Sequence, residues 1–88
     1  MSPVNTFVFT KFARKKFLRL EKAIQERIRE KLLALKHHDQ IDAVLKGLTN
    51  VDPATHRIRI GQYRVIVQRR SEREFLILDI GHRKDIYR

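Results

Sequence analysis

Three arginines stand out by type and spacing. Arg57, Arg59 and Arg64 lie in the stretch HRIRIGQYRVIVQRR, residues 56–70, where apolar residues alternate with others. Thr, Lys or Glu would serve solubility equally well at those positions. A guanidinium instead offers a planar fork of donors suited to phosphate oxygens. The tail GHRKDIYR, residues 81–88, adds other chemistry. His82 can donate or accept a proton. Tyr87 can donate a hydrogen bond or stack on a base. Arg83 adds charge. A histidine beside a phosphate-binding arginine cluster suggests acid–base work on a phosphodiester. The plain alternative is a set of solvated arginines and a surface histidine. His37, His38 and His56 are assigned to that plain class, because two adjacent histidines without Cys or a carboxylate framework lack metal-site spacing. No P-loop, GxGxxG or HExxH motif occurs, and no cofactor is implied.

The whole chain is polarised in the same direction. Twenty Lys and Arg face ten Asp and Glu, for a net charge of +10 in 88 residues. Such a balance argues for a polyanionic or acidic partner. Residues 11–38 hold ten basic and three acidic residues, and residues 57–88 hold nine and four. The connector between them, residues 39–56, has one Lys and three acids. The second block is arginine-dominated, with Lys84 its only lysine, so it is the better candidate for a specific site. There is no cysteine, hence no disulfide framework and no thiolate chemistry. No apolar run approaches the roughly 20 residues of a membrane span, and the N-terminus lacks a signal-like apolar core. The expectation is a soluble, cytoplasmic chain without membrane contact.

The elements that must position these residues follow from hydrophobic period. Residues 4–9, VNTFVF, read as a first strand. Thr10 is a plausible N-cap. Phe12, Ala13, Phe17 and Leu20 recur at helical spacing over 11–20, and Ile24, Ile28, Leu32 and Leu35 form the buried stripe of a second helix over 22–38. A break near Glu21 separates them without Gly or Pro. Residues 41–49 form a connector with a short helical turn through 43–45, and 50–53 is turn chemistry. Strands follow at 56–60, 63–69 and 74–80, joined by tight turns at Gly61-Gln62 and Ser71-Glu72-Arg73. The expectation is one α+β domain over residues 1–88, of order βααβββ. Its antiparallel four-stranded sheet carries two N-terminal helices on one face. The other face has no sequence left to cover it. Strand alternation puts Ile58 and Ile60 toward the helices and Arg57 and Arg59 on the open face. The hairpin turn brings Arg64 to them. The first strand is expected at an edge, leaving the arginine hairpin central.

Three segments carry a resemblance to a known family: LKGL at 45–48, HRIRIGQYRVI at 56–66 and DIGHRKDIY at 79–87. Together with length, basicity and element order, they resemble the RelE/ParE superfamily of type II toxin–antitoxin toxins. The resemblance implies a metal-independent endoribonuclease that cleaves mRNA at the ribosomal A site, with the RNA 2′-hydroxyl as nucleophile. Arg57 and Arg59 match basic phosphate-site positions, Arg64 the arginine of the GxYR hairpin, Arg83 the arginine of the tail, and Tyr87 the terminal tyrosine. Some relatives carry lysines where Arg57 and Arg59 stand. An arginine stays protonated, so these two stabilise charge but are poor bases. His82 is then the choice for proton transfer, with Tyr87 second. The resemblance also implies a cognate acidic antitoxin that covers the basic surface or displaces a C-terminal element. Two other readings stand beside this one. A ParE-like chain would inhibit DNA gyrase and cut nothing, since fold does not fix function. A plain nucleic-acid-binding module would bind with steep salt dependence and leave no cleavage products.

Overall fold

The computed structural model describes residues 4–48 and 53–86. Nine elements run in the order β1 (Thr6–Phe9), α1 (Lys11–Leu18), α2 (Lys22–Lys36), α3 (Ile41–Val44), β2 (Lys46–Gly47), β3 (His56–Ile60), β4 (Tyr63–Ser71), β5 (Glu74–His82) and α4 (Arg83–Ile86). The α+β class stands, but the sheet has five strands in the order β1-β5-β4-β3-β2, and it is mixed. Two corrections follow. β1 pairs with β5 in parallel, Thr6 opposite Glu74 and Phe9 opposite Ile77. A parallel neighbour needs a long crossover rather than a hairpin, and the helices between β1 and the meander provide one. The fifth strand, β2, comes from the expected connector and lies antiparallel to β3. At two residues it is too short to leave a periodic signal.

Local chemistry explains the helix boundaries. Thr10 Oγ1 accepts from Ala13 N at 3.1 Å and caps α1. The break between α1 and α2 is held by buried Gln25, whose Nε2 donates to Leu18 O at 3.3 Å and Leu20 O at 2.9 Å. Those carbonyls are freed where α1 ends, so a glutamine does the work of the missing Gly or Pro. The far end of α2 is closed from the residue before β1. Asn5, fully buried, donates from Nδ2 to Leu35 O at 2.7 Å and His38 O at 3.0 Å. Its backbone N donates to Lys36 O at 2.8 Å. Arg73 NH1 in turn donates to Asn5 Oδ1 at 3.0 Å.

The core lies between the helices and one face of the sheet. Ile28 and Leu35 of α2 and Ala13 and Phe17 of α1 pack with Ile58, Ile60, Val65, Val67, Phe75, Ile77 and Ile80. Ile24 and Leu32, expected in the same stripe, are partly buried against it. A bulge makes the β5 contribution possible. Ile66 pairs with Asp79 and Val67 with Ile77, so Leu78 is extra. Ile77 and Ile80 therefore both point inward although three residues apart, and Asp79 turns to the opposite face. Helix α1 packs against β5 beyond the point where β1 stops, so it borders the sheet as well as covering it. Among the described residues no helix is long and apolar enough to cross a membrane.

A candidate phosphate site on the arginine face

Cross-strand register fixes which side chains share the second face. Arg59 stands opposite Arg64, and Arg57 opposite Ile66. On β5, Gly81 stands opposite Arg64 and Asp79 opposite Ile66. On β2, Lys46 stands opposite Arg57. The face thus carries two rows, Lys46–Arg57–Ile66–Asp79 and Arg59–Arg64–Gly81. A shallow depression is lined by Val44, Lys46, Arg57 and Arg59. Lys46 was not among the sequence candidates. Its place depends on the two-residue strand, which periodicity does not reveal.

The cations on this face differ in burial. Arg59 is exposed and Arg57 half-buried. Arg64 is only 5% exposed. Its NH1 donates to Gly61 O at 2.9 Å and Tyr63 O at 3.0 Å, so the guanidinium is folded onto its own turn. Its Nε is buried without a hydrogen-bond partner. A buried unmet donor costs about 1–3 kcal/mol, and this one lies beside two further arginines. The turn itself needs glycine. Gly61 has φ 59°, and a Cβ there would meet Arg27 NH2 at 2.9 Å.

The expectation that this face lies open needs revision at one end. The tail forms α4, which touches both β4 and β5. A Cβ on Gly81 would lie 3.6 Å from Ile86 Cδ1 and 3.6 Å from Lys16 Nζ. Ile86 and Lys16 therefore reach over the strand beside Arg64. Lys16 Nζ also contacts Asp79 Oδ1 at 2.6 Å. Arg57, Arg59 and Lys46 remain at the uncovered end.

The tail residues divide. Arg83 is exposed, and its backbone N donates to Gln62 O at 2.7 Å, tying α4 to the turn that holds Arg64. His82 is not brought to the arginines. It stands opposite Tyr63, with the rings edge-on at 5.5 Å, on the side of Ile60 and Ile80. Its Nδ1 accepts from Lys84 N at 3.2 Å. Tyr87 lies outside the described residues. Among the described residues no three His, Asp or Glu side chains gather as a metal-ligand set.

This architecture has counterparts. The family model for the ParE toxin of the parDE type II toxin–antitoxin system matches residues 7–87. The chain belongs to this toxin family. The toxin also resembles solved structures. A chain of the RelBE2 toxin–antitoxin complex of Mycobacterium tuberculosis is 25% identical, with TM-score 0.76, covering 93% of this chain and 94% of that one. A chain of the archaeal RelB–RelE complex from Methanococcus jannaschii is 22% identical, with TM-score 0.70, covering 91% and 94%. A chain of the intact E. coli RelBE complex is 20% identical, with TM-score 0.69, covering 89% and 95%. The last two likenesses concern the fold. No curated protein sequence matches the toxin.

Proposed function

We propose that the toxin is a metal-independent endoribonuclease acting on mRNA at the ribosomal A site, and that the arginine face holds the scissile phosphate. The observation that carries this reading is Arg64, buried opposite Arg59 with one guanidinium donor unmet. In the reaction the RNA 2′-oxygen attacks the adjacent phosphorus. The 5′-oxygen leaves, giving a 2′,3′-cyclic phosphate and a 5′-hydroxyl. The 2′-hydroxyl proton must be removed and a proton supplied to the leaving oxygen. Arg57, Arg59 and Arg64 stabilise the charge that grows on the pentacoordinate phosphate, and Arg83 adds to the same field. Lys46 extends the cationic row for an adjacent phosphate. His82 stands on the Tyr63 side of the sheet, away from the arginines, so proton transfer is assigned to Tyr87, the second choice from the sequence. Because the His82 ring packs on Tyr63, its loss is expected to cost less activity than loss of Arg64. The partner that silences the toxin is an antitoxin, as in the toxin–antitoxin complexes whose fold it shares, and an acidic one would complement the net charge of +10.

The test is cleavage of mRNA on programmed ribosomes with EDTA present, with RNA 5′ ends read by primer extension. Cuts at A-site codons are expected, and Arg64→Ala should lower their rate roughly 10²–10³-fold. His38→Ala should leave the rate unchanged. Equal activity of the two variants overturns the site assignment.

A second reading is favoured by the family match, whose model describes a ParE toxin. In it the basic face binds DNA gyrase and cuts nothing. Intact RNA together with toxin-dependent trapped DNA breaks would establish that reading instead.

A further inference from the structure

Helix α1 is more basic than its packing requires. Its eight residues, KFARKKFL, carry Lys11, Arg14, Lys15 and Lys16 and no acid. Two large apolar side chains on it are left in water, Phe12 at 60% and Leu18 at 56% exposure. An exposed aromatic among cations is the composition that single-stranded nucleic acid uses, bases on the ring and phosphates on the charges. The place of Phe12 supports the same view. Lys16 Nζ lies 5.4 Å from the centre of the Phe12 ring. The same Nζ contacts Asp79 on the arginine face and sits 3.6 Å from the Cβ position of Gly81, the neighbour of Arg64. Phe12 thus borders the β5 side of that face, while Arg57 and Arg59 lie on β3, two strand spacings or about 10 Å away. An ammonium already lies over the ring, and most of the remaining ring surface is exposed.

We propose that Phe12 is a stacking platform for an RNA base, engaged as the strand crosses from the β3 arginines over Arg64 to α1. The inference rests on the nuclease reading. It adds a base contact to a site otherwise made of phosphate contacts, and it gives the RNA a direction across the sheet. Lys16 sets one side of the platform, held there by its ion pair with Asp79. Stacking is tolerant of sequence because every base has a π-face.

The experiment measures binding of a fully 2′-O-methylated oligoribonucleotide, which has no nucleophile to cleave it, and of a matching oligonucleotide with abasic positions. The wild-type toxin should prefer the base-bearing strand roughly 5- to 150-fold, the range expected for one stacked base. Phe12→Ala and Phe12→Leu should both abolish that preference without changing the salt dependence, which counts phosphates. Phe12→Trp should retain the preference, with its indole fluorescence quenched by the base-bearing strand alone. Circular dichroism checks that each variant is folded. If Phe12→Ala keeps the preference while Arg57→Ala weakens both strands, the platform is wrong and the phosphate site stands. If the wild type shows no salt-dependent binding to either strand, the platform is overturned, and the nuclease reading is decided separately by cleavage on programmed ribosomes. If Phe12→Ala loses the antitoxin but not the base preference, the ring is a protein contact and the proposal is overturned.

Discussion

On the helix-covered side of the sheet, β3 and β4 present Ile58, Ile60, Val65 and Val67, none more than 8% exposed. On the other side the same two strands present Arg57, Arg59, Arg64 and Ile66. Residues adjacent in sequence therefore do opposite work. The first set stabilises by leaving water, at roughly 25 cal/mol per Å² of apolar surface. The second gathers like charge, which opposes the folded state. The difference is the ground for the proposed site. A sheet that only needed to fold would not place guanidinium groups in facing positions. Arg59 opposite Arg64 is a pairing that costs stability, and a bound polyanion removes that cost.

Mutations should separate the two faces. The largest effect on folding is expected on the covered one. Ile77 is fully buried, and Ile77→Ala should lower the unfolding free energy by about 2–5 kcal/mol. Urea titration checks this, and a loss below 1 kcal/mol (~1 on the same cavity scale) would mean the core is looser than its burial indicates. Asn5→Ala comes next. It removes two donors from the end of α2 and the acceptor of Arg73, so a loss of about 1–3 kcal/mol is expected. Asn5→Asp keeps the acceptor and loses the donors, and should fall close to Ala if the carbonyl contacts dominate.

The smallest effect concerns pH. His56, half-buried, is held below the ordinary histidine range by burial first and by the Arg69 cation second, with Asp42 acting the other way. The unfolded chain then takes up the proton at higher pH than the folded one. Stability from this group is full above the unfolded value and declines as pH falls from about 7 toward the folded value. Asp42 stays charged through this window, its carboxyl held below the usual range chiefly by the Arg69 hydrogen bond. Thermal melts between about pH 7.5 and 5.5 should show a shallow fall for the wild type, flattened in His56→Gln. A rise in stability on acidification would reverse the sign of the argument.

Much of this was legible in residue order. The helix stripe, the Thr10 cap, the Gly61 turn and the strand alternation each follow from local spacing, and together they put Arg57, Arg59 and Arg64 on one face. What was hidden depends on distant partners. The parallel pairing of β1 with β5 joins residues far apart in the chain, and no turn between them sets direction. Lys46 enters the arginine rows through a two-residue strand. His82 leaves them because strand β5 runs through Gly81 and His82 before α4 begins, which alternates the histidine to the Tyr63 side. Arg64 is buried with its guanidinium folded onto its own turn, and the tail folds back beside it as α4, a four-residue helix with almost no periodic signature. The site residues thus divide by the range of the interaction that places them.

The central claim is that the arginine face acts on RNA while the covered face only supports it. The most direct test measures A-site mRNA cleavage on programmed ribosomes in EDTA for the wild type and Arg64→Ala, beside the unfolding free energy of each. The account expects wild-type cuts that Arg64→Ala slows roughly 10²–10³-fold while the variant stays folded. Undiminished cleavage by a folded Arg64→Ala toxin, or no cleavage by the wild type, would contradict it.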